Sequence, residues 1–379
     1  MSGPLVTLGV PVFRGQDLLP VILECLRTQT YSNLDVLISV DGGDEASAEA
    51  CRPFLNDSRF RMHVQPTRLG WAGNTDWTMR HRRGEFYIYQ QHDDQVSPTY
   101  VADLVKAATK WPQASICYSE MKVSGLQNLM IRDKSLLGTP LSRALTHLER
   151  LDTSMFRGLM RGSALDGTSG LLVNDFDSFG SDHRLMTELA FAGEFRFVEG
   201  PTYFKRVHGQ NLQMKFQHWP EERKRAAWAS FGAWMAEVIV PAAPSLQERW
   251  RHFYIVLDRF LVARGWLSFM RGRADWYNFS GSGERSILVR KIVDRVRRRG
   301  KADAWLRAQR RGMFCQLNNN DLETRAALLR DILGQLRSGN NFDVLEYLQS
   351  TWDSLEAAAA HRFGVSKIRQ EVVLRPGAL

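Results

Sequence analysis

The run Tyr87-Ile88-Tyr89-Gln90-Gln91-His92-Asp93-Asp94 reads as a buried strand that stops on two adjacent carboxylates. In an α/β sheet the carboxyl ends of strands are where ligands are met. Two neighbouring aspartates repel each other and lose hydration, so the pair persists most readily where something cationic sits beside it. A hard cation such as Mg²⁺ or Mn²⁺ bridging a diphosphate suits this chemistry, because it takes carboxylate and phosphate oxygens together. The plainer alternative is a solvated Asp-Asp turn before the next helix.

Regular elements must carry these groups to one place. Leu5 to Val10, Leu34 to Val40, Phe60 to Gln65, Phe86 to Gln91 and Ser115 to Tyr118 are β-rich runs. Between them Leu18 to Leu26, Glu45 to Leu55, Trp71 to His81 and Tyr100 to Lys110 have helical patterns, the last with Ser97 placed to cap and Pro98 at the first helical position. Strands alternating with helices predict an α/β domain on a mainly parallel sheet flanked by helices on both faces. Residues 123–177 have weak helical stretches interrupted by glycines and polar residues, and are expected as loops and short helices over the sheet's carboxyl edge. After about Trp219 the texture becomes helical: Glu221 to Val240, Ser245 to Arg264, Ser286 to Arg311, Asp321 to Arg337 and Phe342 to Arg362 fit amphipathic helices. The expected division is therefore residues 1–218 and an all-α C-terminal domain, residues 219–379.

Composition limits the classes of function. With 379 residues, 44% hydrophobic and 24% charged, the chain has the make-up of a soluble globular protein of two domains. The most apolar stretch, Tyr254 to Met270, is broken by Asp258, Arg259 and Arg264, so no membrane span is expected. No basic region followed by an apolar core opens the sequence, and the expected location is the cytoplasm. Cys25, Cys51, Cys117 and Cys315 lack metal or redox spacing and read as free thiols. The net charge of +9 is concentrated between Arg285 and Arg311, where eleven Lys or Arg face two Asp. Such a run suits an anionic surface or a solvated helix face. Eight of the 11 tryptophans fall among arginines in the C-terminal half, a mixture that fits core plus rim as well as a membrane interface.

A family resemblance gathers these pieces. Leu26-Arg27-Thr28-Gln29-Thr30-Tyr31-Ser32-Asn33-Leu34-Asp35 resembles the opening S-L-x-x-Q-T-Y-x-N-x-E of family 2 inverting glycosyltransferases with the GT-A fold. Pro11-Val12-Phe13 resembles that family's P-x-[YF], and Val40-Asp41-Gly42-Gly43 its D-D-G-S turn. Leu69-Gly70-Trp71-Ala72-Gly73-Asn74 is similar to N-x-G-x-x-x-A-x-N, and Gly84-Glu85-Phe86-Tyr87-Ile88 leads into the carboxylates as G-E-Y-I-x-x-L-D-x-D-D does. Five matches in order carry the likeness, over residues 1 to about 215. It implies a Rossmann-like GT-A domain that binds a nucleoside diphosphate sugar, with the helical half outside it.

The resemblance distributes roles. Pro11, Phe13, Asp41, Gly70, Asn74, Gln91, His92, Asp94 and Arg206 are expected on the donor side. Asp41 would accept from base or ribose, His92 would contribute at most a hydrogen bond, and Arg206 would offset phosphate charge. For Asp41-Gly42-Gly43 the competing reading is a plain strand-to-helix turn. Asp93 and His208 are the expected ligands of Mn²⁺ or Mg²⁺, His208 through the R-x-H likeness of Arg206-Val207-His208. Asp182, in Gly180-Ser181-Asp182-His183, resembles the acid that acts as general base on the acceptor hydroxyl; as a residue at a helix start it also reads as a cap. Gln91 stands where the first Asp of D-x-D-D would be, and Val40 where the first Asp of D-D-G-S would be, so the metal loses an anionic neighbour. The implied reaction is inverting, metal-assisted sugar transfer, with UDP the family's commonest nucleotide. The acceptor would be a glycan or glycoconjugate of the cell envelope, and the basic half would touch the inner membrane face or self-associate. Two rivals are a non-catalytic nucleotide-sugar binding module and a basic nucleic-acid-binding protein; the family reading expects no nucleic acid.

Overall fold

The computed structural model describes residues 3–209 and 218–243, together with Asn211, Lys215, Phe216, His252 and Val256. The expected helices from Ser245 onward, the basic run Arg285 to Arg311 and Cys315 lie outside the described residues.

Among the described residues nine strands form one sheet: β1 Val6–Val12, β2 Leu34–Val40, β3 Phe60–Val64, β4 Phe86–Tyr89, β5 Gln95–Val96, β6 Ala114–Gly125, β7 Leu129–Ile131, β8 Leu159–Arg161 and β9 Glu194–Val207. Their order is β3-β2-β1-β4-β8-β6-β9-β5, with β7 on β6. The first four are parallel, as the alternation of strand and helix predicts. Beyond them β8 runs antiparallel to both β4 and β6, while β6 and β9 are again parallel. The helices are α1 Leu19–Arg27, α2 Glu45–Cys51, α3 Gly70–Arg80, α4 Tyr100–Lys110, α5 Pro140–Arg150, α6 Gly162–Asp166, α7 Ser181–Ala192 and α8 Glu221–Ile239.

Residues β1 and β2 are buried throughout, which places helices on both faces of the sheet. The period of two divides them cleanly. Val6, Leu8, Val10, Phe86 and Ile88 face a core shared with α1, α2 and α4. Tyr87, Tyr89, Ile116 and Tyr118 face the other core, with Ala72 and Met79 of α3 and Leu185, Met186 and Leu189 of α7.

Two stretches depart from the sequence expectation. Residues 123–177 hold the end of β6, then β7, α5, β8 and α6, where loops and short helices were expected. Strand β8 has three residues, too few for alternation to show, and exists because β4 and β6 each offer it an open edge. Helix α4 begins at Tyr100, and Ser97 does not cap it: its hydroxyl accepts the Thr202 N–H at 3.1 Å. Pro98 gives its carbonyl to the Thr30 N–H.

Among the described residues one compact unit runs to Ala227 and a second takes up at Trp228. In the second, Trp228, Phe231, Met235 and Ile239 are buried at helical spacing, and the Ile239 carbonyl lies 3.1 Å from His252 Nδ1. Cys25, Cys51 and Cys117 are free thiols; burial pushes Cys51 and Cys117 up to about 12, which keeps them unreactive. No helix among the described residues is long and apolar enough to cross a membrane.

Candidate functional site

The amino-terminal motifs meet at the carboxyl ends of β1 and β2. Asp41 closes β2 with its carboxylate buried, and the N–H groups of Leu69 and Gly70 donate to its two oxygens at 2.6 and 3.0 Å. An anion at the first turn of α3 satisfies amides that lack intrahelical partners and meets the positive end of the helix dipole. Gly42 is required beside it, because a Cβ there would strike the backbone of Thr67 and Arg68. Asn74 is likewise turned inward. Its Nδ2 donates to the Ser39 carbonyl at 2.9 Å, and its Oδ1 accepts from the Ser39 hydroxyl at 2.6 Å. Asp41, Gly70 and Asn74 thus fasten α3 to β2 beneath the surface. Phe13 stays partly exposed with the Arg68 guanidinium 3.7 Å above its ring, a cationic and aromatic face of the kind a nucleobase stacks on. Pro11 is buried in β1, and its carbonyl lies 3.3 Å from His92 Nδ1.

The chain leaving β4 parts its polar groups. Gln90 donates to the carbonyls of Gln91 and Asp94 at 3.0 and 2.7 Å and so closes the turn. Asp93 Oδ2 lies 3.0 Å from His208 Nε2 and accepts from Asn211 Nδ2 at 3.1 Å, while Asn211 Oδ1 takes the His208 N–H. Asp94 turns the other way and is buried. Tyr203 donates its hydroxyl to Asp94 Oδ2 at 2.9 Å, and the Arg206 N–H donates to Oδ1 at 2.8 Å. Burial and the Asp93 charge push the Asp94 carboxyl up to about 7, against the opposite pull of Lys205, the Arg206 amide and Arg157. The side chain of β9 that reaches the cleft is Lys205; Arg206 is exposed.

The Asp93 and His208 pair fits a divalent cation. Asp93 Oδ2 and His208 Nε2 stand 3.0 Å apart, a hard carboxylate oxygen and an imidazole nitrogen that would both hold such an ion. Among the described residues no group of three His, Cys, Asp or Glu forms a fuller cage. The remaining positions suit phosphate and water, the usual way Mg²⁺ is held beside a nucleotide.

Asp182 stands in the first turn of α7, behind a tightly wound approach. Asp177, Ser178 and Gly180 have φ of 49, 57 and 84°, and the Trp71 indole N–H holds the Asp177 carbonyl at 2.7 Å. Gly180 is the N-cap residue, so the Asp182 carboxylate does not serve as the cap and, among the described residues, accepts the N–H of His183, at 3.0 Å. Half-buried, Asp182 borders an open cleft with Trp71, Phe156, Phe179, Arg157 and Lys205. Asn211 borders the same cleft and bonds Asp93, which ties the Asp93 and His208 pair to the cleft wall through that one side chain. Arg157, Lys205 and Asn211 were not anticipated from the sequence. Only Asn211 had a local signal, three residues after His208 in a polar loop.

His183 also borders the cleft, and behind it lies His147 of α5, with ring centroids 5.6 Å apart and both side chains buried. Burial pushes His147 down from 6.5 to about 3. Below about pH 6.5 the unfolded chain binds this proton and the folded chain refuses it, so stability falls as pH drops toward 3. At about pH 5 the loss from this group is about 2 kcal/mol. Asp133, pushed up to about 7 chiefly by burial, acts in the opposite sense. The check is therefore the difference between parent and His147→Leu: the drop in Tm from pH 7.5 to about 5 should be smaller in the variant. Equal drops would refute it.

Comparison with known proteins adds family and fold. Residues 7–167 match the model of glycosyl transferase family 2, a span that ends before Asp182, Arg206 and His208. EpsH of Bacillus subtilis, whose glycosyltransferase name is provisional, is 24% identical over 257 residues, 62% of this chain and 71% of EpsH. Glycosyltransferase GlyA of Streptococcus pneumoniae is 26% identical over 111 residues, 29% of this chain and 16% of GlyA. Among solved structures, S. aureus TarS 1–349 superimposes with a TM-score of 0.54 at 14% identity, covering 95% of this chain and 92% of that one. The same protein has been solved in complex with UDP-GlcNAc, with a TM-score of 0.54 at 15% identity.

Proposed function

We propose that this chain, whose residues 7–167 match the glycosyl transferase family 2 model and whose fold resembles that of TarS, moves a sugar, with inversion, from a nucleoside diphosphate sugar to an acceptor hydroxyl. The observation that supports this reading is Asp182 and Asn211 lining one cleft, with Asn211 hydrogen-bonded in turn to Asp93 beside His208. Phe13 and Arg68 offer a face for the base, and Asp93 and His208 would hold Mn²⁺ or Mg²⁺ against the diphosphate. When bound, such a cation supplies Lewis acidity that offsets charge on the departing nucleoside diphosphate, worth several kcal/mol in the transition state. Asp182 accepts the proton of the acceptor hydroxyl as that oxygen attacks opposite the leaving group, so a single carboxylate at the cleft wall suffices. Trp71, Phe156 and Phe179 line the cleft and present aromatic faces suited to sugar rings.

UDP is the proposed nucleotide, in line with the UDP-GlcNAc that TarS was crystallised with. A cell-envelope glycan is the proposed acceptor class. A cytoplasmic enzyme resting on the inner membrane face, or self-associating, through residues 219–379 completes the reading.

Thermal stabilisation by UDP, GDP, dTDP and CDP, each with and without Mn²⁺, tests it. One diphosphate should raise Tm selectively and more strongly with the ion, because a ligand that binds only the folded state stabilises it by mass action. No shift with any of them would remove the donor site. A donor that binds yet is never turned over, with or without acceptor, would favour the non-catalytic module.

A further inference from the structure

Asp182 owes its place to the turn that leads into α7. Phe179 donates its N–H to the Phe176 carbonyl at 2.9 Å, so Asp177 and Ser178 are the central pair of a tight turn, with φ of 49 and 57°. Such a pair favours asparagine and glycine, and a serine persists there only where its surroundings fix it. The Ser181 N–H then returns to the Ser178 carbonyl at 3.1 Å, Gly180 adds a φ of 84°, and α7 starts.

What holds this turn comes from α3. The Trp71 indole N–H, on the second residue of that helix, donates to the Asp177 carbonyl at 2.7 Å. The start of α3 is itself anchored, because the buried Asp41 carboxylate after β2 takes the N–H groups of Leu69 and Gly70. Further along the helix, Asp76 Oδ1 accepts the Leu171 N–H at 2.9 Å, and Arg80 Nη2 donates to the Ser169 carbonyl at 3.1 Å. The chain approaching the turn therefore lies along the same helix. On the outer side Lys215 and Arg223 pair with the Asp177 carboxylate at 2.9 and 3.5 Å, but partly exposed ion pairs of this kind contribute little.

Trp71 also borders the cleft that Asp182 borders. Its N–H is directed to the turn, so what it offers the cleft is a ring, which a phenylalanine would also supply. We propose that Trp71 is a positioning residue for the proton acceptor: through the Asp177 carbonyl it sets Asp182 relative to α3 and the carboxyl end of β2. The inference rests on the assignment of Asp182 as general base above.

A double-mutant cycle on the full-length protein tests it, with Trp71→Phe, Asp182→Asn and the two combined. The readout is UDP release in single turnovers with Mn²⁺, from UDP-glucose, UDP-GlcNAc and UDP-glucuronate, over a panel of glycan acceptors and with water alone. Trp71→Phe should lower kcat roughly 10–100-fold, the consequence of a reacting group displaced by about 1 Å. UDP affinity should stay within about twofold of the parent, since the loss falls on the reacting step. In the Asp182→Asn background the same change should cost less than about twofold, because a residue that acts through another has nothing left to position. Amide exchange in the unliganded variant should be faster over residues 176–184 and unchanged over α1.

An equal loss of kcat in both backgrounds would overturn the inference, because the ring would then act on substrate or on the fold and not through Asp182. So would kcat or exchange equal to the parent, and so would a variant that does not fold; each of these leaves the base assignment standing. Transfer undiminished in Asp182→Asn, or no turnover of any donor by the parent, would remove the base assignment and this inference with it.

Discussion

Asp182→Asn should bind UDP-sugar within about twofold of the parent and lose roughly 10²–10⁴-fold in kcat, the span that a positioned general base supplies. Asparagine keeps an oxygen to take the His183 N–H, and Gly180 remains the N-cap, so the helix start should survive. Lost is the ability to accept a proton from the acceptor hydroxyl. Because the acceptor must be found first, single-turnover transfer to a panel of glycan acceptors is the assay, with donor affinity and Tm measured beside it. Unchanged transfer would return Asp182 to a role in ordering the first turn of α7. A fall in donor affinity equal to the fall in transfer would mean that the carboxylate serves binding and not proton transfer.

Asp93→Ala should be the second large effect, and it should fall on the other limb. The variant keeps His208 and Asn211 but removes the carboxylate that both face. One neutral imidazole is a weak site for a hard cation, so the Mn²⁺-dependent part of UDP affinity should drop by roughly 10–100-fold, the scale of a lost charged hydrogen-bond or ligand contact. Transfer should fall further, by about 10³-fold, since Lewis-acid stabilisation is strongest in the transition state. The unliganded fold should tolerate the change, and removing the Asp93 charge should draw the Asp94 carboxyl downward, because that charge helps to raise it. Equal donor affinity in Asp93→Ala and parent, with Mn²⁺ present, would sink the metal assignment. The two variants together separate the halves of the reaction: one should lose transfer with donor bound, the other the metal-dependent hold on the donor.

Several residues expected on the donor side also have structural partners in the fold. Asp41 and Asn74 lie beneath the surface, where they tie the amides of α3 and the backbone of Ser39 to β2. A carboxylate beside a glycine-rich turn satisfies a helix start and a bound ribose with the same chemistry, so residue type alone leaves both open. Asp94 shares its sequence neighbourhood with Asp93, yet the two carboxylates have opposite surroundings. One faces His208, and the other is closed off by Tyr203 and the Arg206 amide.

By itself the sequence determined the layered α/β arrangement and the level at which chemistry takes place. The alternation in β1 and β2, the continuous apolar run of β4 and the helical spacing of α1 and α4 are local properties, written in which residues are apolar. A strand that runs into Asp93 and Asp94 marks the carboxyl edge whatever lies across it. Only the tertiary structure decided which partners those edge groups have. Gln91 meets Arg157 across 66 residues, Asp94 meets Tyr203 across 109 and Asp93 meets Asn211 across 118. These meetings depend on β8 entering beside β4, and on β9 pairing with β6 and β5, choices made by available sheet edges and by the need to satisfy buried polar groups. Neither leaves a periodic trace in the chain, because each is a relation between distant segments.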